Sequence, residues 1–139
     1  MTGVLRIDSI SAIIIVMRIS FVWIKRNDGT SEFTDFMSSL AIKDRAKLYA
    51  LISTIEEQGM EIAKKMQWVK KLRDGIFEIR SRQGTDIQRT LYFHEVGTQY
   101  VITHGFSKKT DAVPENEIEH AKKLRDDYIK KVIHNEHYR

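Results

Sequence analysis

Apolar and polar residues along the chain follow two different periods, and the points where the period changes mark out the elements. Residues 18–24, RISFVWI, alternate with a period of two and are rich in β-branched and aromatic side chains, which predicts a strand. The turn chemistry of NDG (27–29) breaks that run. Phe33, Phe36, Met37 and Leu40 then recur at helical spacing after Ser31, a suitable N-cap with Glu32 in the first turn. A longer helix is predicted over 43–58, with Leu48, Leu51, Ile52 and Ile55 as its stripe and Gly59 where a helix commonly ends. Residues 76–81, 87–95 and 99–106 read as three strands, separated by RQGT and by EVGTQ, a short hairpin-like connection. Pro114 opens a last helix whose Glu115 and Glu117 complement the positive end of the helix dipole, with Ile118, Ala121, Leu124, Ile129 and Val132 as its buried side. The order β-α-α-β-β-β-α predicts a compact α+β domain, a small antiparallel-rich sheet packed against helices.

Ahead of the first strand, SAIIIVM (11–17) is apolar but too short for a bilayer, which takes about 20 residues. Asp8 precedes it, Arg18 follows at once and there is no small-residue cleavage site, so it does not read as a signal peptide. The single domain is therefore taken as residues 17–139. Residues 1–16 are an upstream extension, an added strand or an interaction arm, and the sequence leaves these open.

Composition narrows the chemistry. The 139 residues suffice for one domain with a real core. There is no cysteine, which excludes disulfides, thiolate metal sites and cysteine nucleophiles and suits a reducing cytoplasm. No metal site is expected, because HNEH (134–137) places just two histidines on the last turn. The net charge of +4 is unevenly spread. Residues 64–90 hold eight Lys/Arg against three Asp/Glu, a surplus of five, whereas residues 1–63 are net −1 and the rest balances. Because the surplus continues onto predicted strands, it points to a phosphate-binding surface more than to a merely solvated face.

Within that segment each cation has two readings. Arg89 shares strand phase with Ile87, Leu91 and Phe93, on the inward face of the sheet, where a charge needs a partner or a cleft. A buried salt bridge with Glu78 and a catalytic role weigh equally on pattern alone. Arg80 has the phase of Glu78 and either pairs with it or grips phosphate through its guanidinium fork. Lys108 and Lys109 follow the last strand, where loop residues reach ligands. His104, in that strand, is either a hydrogen-bonded core histidine or an acid–base group. Lys64, Lys65, Lys70, Lys71, Arg73 and Arg82 are placed to hold a polyanion rather than to do chemistry.

LRDGIFEIR (72–80), the arginine of QRTLYF (88–93) and ITHGFSKKTDAVPENEIEHA (102–121), in this order behind two helices, resemble the RelE/ParE superfamily of toxins. The match is nearest to the phage-derived HigB-like branch of type II toxin–antitoxin systems and spans roughly residues 17–130. The resemblance implies a RelE-like fold and a cytoplasmic, metal- and cofactor-independent mRNA interferase, an endoribonuclease that cuts messenger RNA on the ribosome. It further implies a helix-turn-helix, HigA-like antitoxin as partner, with operator DNA bound through that complex, and no membrane. It places functional cations at Arg80, Arg89, Lys108 and Lys109, and it tips Arg89 toward function. The chain departs from several ribosome-dependent relatives that end in a catalytic tyrosine or histidine, since it runs on through YIKKVIHNEHYR. The general base is thereby left open. ParE-like members with the same fold imply the alternative, a DNA gyrase inhibitor that works by protein binding without nuclease chemistry.

Overall fold

The computed structural model describes residues 18–137. The N-terminal segment 1–16 lies outside the described residues. Strand β1 (Ser20–Trp23) is followed by helices α1 (Glu32–Ser39), α2 (Ile42–Gln58) and α3 (Met60–Lys65). Strands β2 (Val69–Lys71), β3 (Phe77–Gln83), β4 (Asp86–Val96) and β5 (Gln99–Lys108) come next, and helix α4 (Glu115–His137) closes the order. The strands form one mixed sheet in the order β1-β5-β4-β3-β2, with β1 parallel to β5 and the other pairs antiparallel.

Local chemistry accounts for most boundaries. The Ser31 hydroxyl accepts the Thr34 N–H at 2.9 Å and caps α1. Gly59, at φ 88°, ends α2 by donating to the Ile55 carbonyl at 2.8 Å, and the chain then turns into α3. Helix α3 and strand β2 correct the expected order, which lacked both. They hide in the basic run because each buries little: Ala63 from α3 and Val69 from β2. Elements so short and so exposed show no periodicity to read.

The sheet is covered on both faces. On one, Phe33, Met37, Leu48, Ile52 and Ile55 of α1 and α2 pack with Ile79, Tyr92 and Ile102. On the other, Ile118 and Ala121 of α4 pack with Ile76, Leu91, Phe93 and Val101. Ile118 and Ala121 are buried as the helical pattern requires, but Ile129 is 40% exposed. The buried residues of α4 lie in its first two turns and Tyr128 packs at the margin of the cluster, so the later part of the helix covers less of the sheet.

A bulge in β5 decides what faces α4. Tyr92 is opposite Ile102, while its neighbour Leu91 is opposite His104, so Thr103 is the extra residue. The Thr103 hydroxyl donates to the Leu91 carbonyl at 3.2 Å at this point. The extra residue turns His104, Phe106 and Lys108 onto the α4 face and Gly105 onto the opposite one. There Gly105 lies so close to α1 that a Cβ would overlap the Phe36 ring.

Candidate functional site

The β3–β4 ladder brings the candidate arginines together. Arg80 lies directly opposite Arg89, and alternation puts Glu78, Arg80 and Arg82 on the same face as Ile87, Arg89 and Leu91. Over this part of the face runs the loop of residues 109–113, most of the connection from β5 to α4. Arginines, carboxylate and loop form a stack of alternating charge.

Glu78 is its floor. The side chain is fully buried, accepts the Arg80 Nε and stands 4.0 Å from the Arg89 Nε. Arg89 is fully buried as well, which a guanidinium tolerates when a carboxylate compensates it. Its Nη2 donates to the Thr110 carbonyl. Its Nε and Nη1 have no hydrogen-bond acceptor, and Oε2 of Glu78 has no donor. Burial pushes the Arg89 guanidinium below its ordinary range, with Glu78 opposing the shift. Arginine titrates so high that the group keeps its charge at neutral pH.

The upper layer is Asp111. Its carbonyl accepts Arg80 Nη2 at 2.5 Å, and its carboxylate accepts Arg82 Nη2 at 2.7 Å with Arg80 Nη1 3.9 Å away. The hydrogen bond from Arg82 holds the Asp111 carboxyl below the usual carboxylate range. Lys108 sits opposite Ile87 at the end of β5, so both it and Lys109 border the cluster as exposed cations. Lys70, opposite Glu78, joins Gln67, Val69 and Arg80 in lining a cleft of about 390 Å³. Lys64, Lys65 and Lys71 are exposed at the end of α3 and on the edge strand. Lys47 of α2, which the sequence did not single out, donates to the Arg82 carbonyl.

Three expectations change here. Arg89 does not line an open cleft, because strand phase selects the face of the sheet but not the loop that closes over it. Arg73 does not join the arginine cluster but bridges Asp74, Glu115 at 3.1 Å and Glu119 at 2.7 Å, pinning the start of α4. His104 is separated from the arginines and wedged against α4. Its Nδ1 meets the Thr103 hydroxyl at 3.1 Å, its ring stands 4.8 Å from that of His120, and its Nε2 is 3.7 Å from Glu117 without a hydrogen bond. Burial, and then the nearby His120, push the His104 imidazole down to about 4, so it is neutral at pH 7. Burial pushes the Glu117 carboxyl up, and His120 meets Glu32 of α1 at 2.8 Å. The sequence missed this cluster because residues 32, 104, 117 and 120 meet through the bulge and the packing of α4.

Among the described residues no group of three or more His, Cys, Asp and Glu is placed to hold a metal ion. No described helix is long and apolar enough to cross a membrane. What the site offers is a set of guanidinium donors on rigid strands, bordered by lysines, which suits a phosphate or another oxyanion. No curated protein matches the sequence. Residues 35–126 match the profile described as phage derived protein Gp49-like (DUF891), a span that runs from α1 into α4 and contains the whole arginine cluster. With about two-thirds of its length inside that match, the chain belongs to the phage-derived Gp49-like family, part of the RelE/ParE-like toxin superfamily of type II toxin–antitoxin systems.

Proposed function

We propose that this toxin belongs to the HigB-like branch and is a ribosome-dependent mRNA endoribonuclease, working in the cytoplasm without a metal ion. The observation that carries the reading is the convergence of Arg80, Arg82 and Arg89 on one side of the β3–β4 ladder. Metal-free RNA cleavage proceeds by attack of the 2′-hydroxyl on the adjacent phosphorus and loss of the 5′-oxygen. Negative charge gathers on the phosphoryl oxygens on the way. Preorganised cations stabilise that charge without having to reorganise, often the largest catalytic contribution. Arg80 and Arg82 reach the surface and make the first phosphate contacts, while Arg89 backs them. Lys108 and Lys109 stand where they can neutralise the leaving side. The lysines of α3 and β2 hold the flanking RNA or ribosomal RNA by charge alone. His104 supplies a neutral imidazole but faces Glu117 and His120, so the base that takes the 2′-hydroxyl proton is not assigned to it.

A helix-turn-helix, HigA-like antitoxin covers the basic surface of residues 64–90, and operator DNA is bound through the antitoxin. The reading is tested by inducing the toxin with and without its antitoxin and mapping mRNA 5′ ends. Translation should stop, with new ends inside translated regions that vanish when ribosomes are kept off the message. Continued translation with collapsing DNA supercoiling would instead establish the gyrase-inhibitor reading and overturn this one.

A further inference from the structure

The loop of residues 109–113 directs three acceptor groups at three different arginines. The Thr110 carbonyl takes Arg89, the Asp111 carbonyl takes Arg80, and the Asp111 carboxylate takes Arg82. We infer that Arg80, Arg82 and Arg89 form a seat for one RNA phosphodiester, and that Asp111 occupies this seat as an internal anion which the substrate must displace. The inference rests on the nuclease reading and specifies how that same site is regulated.

Three observations support it. First, a carboxylate and a phosphodiester both present two oxygens that a guanidinium fork can grip, so one can stand in for the other. Second, the closed seat is under-filled. Arg89 is fully buried with two guanidinium nitrogens lacking acceptors, and buried donors are rarely left so. The loop gives Arg89 a single carbonyl, whereas a phosphodiester entering under a raised loop brings two charged oxygens. Third, the charges favour exchange. The closed cluster carries three guanidinium groups against the carboxylates of Glu78 and Asp111, and raising the loop removes one of the two anions. A phosphodiester restores the balance, and Lys108 and Lys109 at the root of the loop draw the polyanion toward it.

A loop that served merely to complete the fold would behave differently when Asp111 is neutralised. The experiment measures binding of a short single-stranded oligoribonucleotide with 2′-O-methyl groups, which blocks the attacking hydroxyl. Fluorescence anisotropy at fixed salt compares the purified 139-residue chain with Asp111→Asn and with Asp126→Asn. The latter removes the same charge from an exposed position on α4 beside Arg125. If the closed loop holds most molecules, Asp111→Asn should tighten binding about fivefold or more, because the competent fraction sets the apparent Kd. Asp126→Asn should stay within about twofold of wild type. In an Arg82→Ala background the Asp111→Asn gain should shrink, since the two side chains act as a pair. Amide exchange of residues 109–113 in the wild-type chain should rise when the oligonucleotide is added.

The inference is overturned if Asp111→Asn binds no tighter than Asp126→Asn, if no variant binds the oligonucleotide, or if loop exchange does not rise. Cleavage of ribosome-bound message, measured in parallel, keeps the two proposals apart. Tighter binding by Asp111→Asn without cleavage by any variant refutes the nuclease and leaves the seat. Cleavage with no Asp111 effect refutes the internal anion and leaves the nuclease.

Discussion

Replacing Glu78 with glutamine tests whether the floor of the arginine cluster is held by charge. The substitution keeps the shape of the side chain and removes the anion 4.0 Å from the buried Nε of Arg89. At an effective dielectric of about 20, two unit charges at that distance attract by about 4 kcal/mol. Arg80 loses the same partner, but it is partly exposed and still meets Asp111, so its share is smaller. Breaking a buried ion pair typically costs about 3–5 kcal/mol, which agrees with this figure. Domains of ordinary stability hold about 5–15 kcal/mol in all. Urea unfolding at pH 7, followed by circular dichroism, should therefore show Glu78→Gln losing about 4 kcal/mol. The double variant Glu78→Gln with Arg89→Met removes both charges and should recover most of that loss, as uncharged replacements of buried pairs often do. A loss below about 1 kcal/mol for Glu78→Gln would refute the reasoning, because Arg89 would then have to be compensated by something else. A double variant no better than the single one would show that shape, not charge, sets the cost.

The His104 imidazole titrates near 4 in the fold and near 6.5 when free. On acidification the unfolded chain therefore binds its proton first, so stability should be full above pH 6.5 and fall by about 3 kcal/mol by pH 4. Glu117, raised by burial, acts in the opposite sense; comparing pH–stability curves of wild type and His104→Asn isolates the histidine, and identical curves would refute its assignment. Gly105→Ala forces a methyl group into the Phe36 ring and should cost about 1–3 kcal/mol in thermal or urea unfolding, partly relieved by adding Phe36→Leu; a neutral Gly105→Ala would mean α1 shifts freely. Replacing Lys70 and Lys71 with alanine should weaken RNA binding and flatten its salt slope by roughly 1.4 if each meets one phosphate of a single strand. Arg73→Ala, engaged with Glu115 and Glu119, should leave RNA affinity unchanged in the same assay, and an equal loss from both changes would return Arg73 to the RNA surface.

Much of the architecture was legible in the residues. Capping at Ser31, the stop at Gly59 and the period-two runs of β3, β4 and β5 depend on neighbours in the chain, so local chemistry suffices to read them. Helix α3 and strand β2 were not legible, since a single buried residue in each leaves no pattern. The pairing of Glu78 with Arg80 could be anticipated from their shared strand phase, and Glu78 was one of two readings for Arg89; the β3–β4 register is what puts the three on one face.

What lay on top of that face could not be anticipated. Asp111 is an unremarkable loop acid in the sequence and becomes the anion of the cluster because the β5–α4 connection crosses β4 to reach β3. His104 sits two residues after a core isoleucine and should share its face, yet one bulged threonine turns it toward α4. Arg73 belongs to the basic run by position and to the α4 carboxylates by contact. Sequence by itself determined the elements and the sign of the charge on β3 and β4, because periodicity and composition are local. Tertiary structure decided which charges meet, because a crossing loop and a single extra strand residue act over distances that no local pattern records.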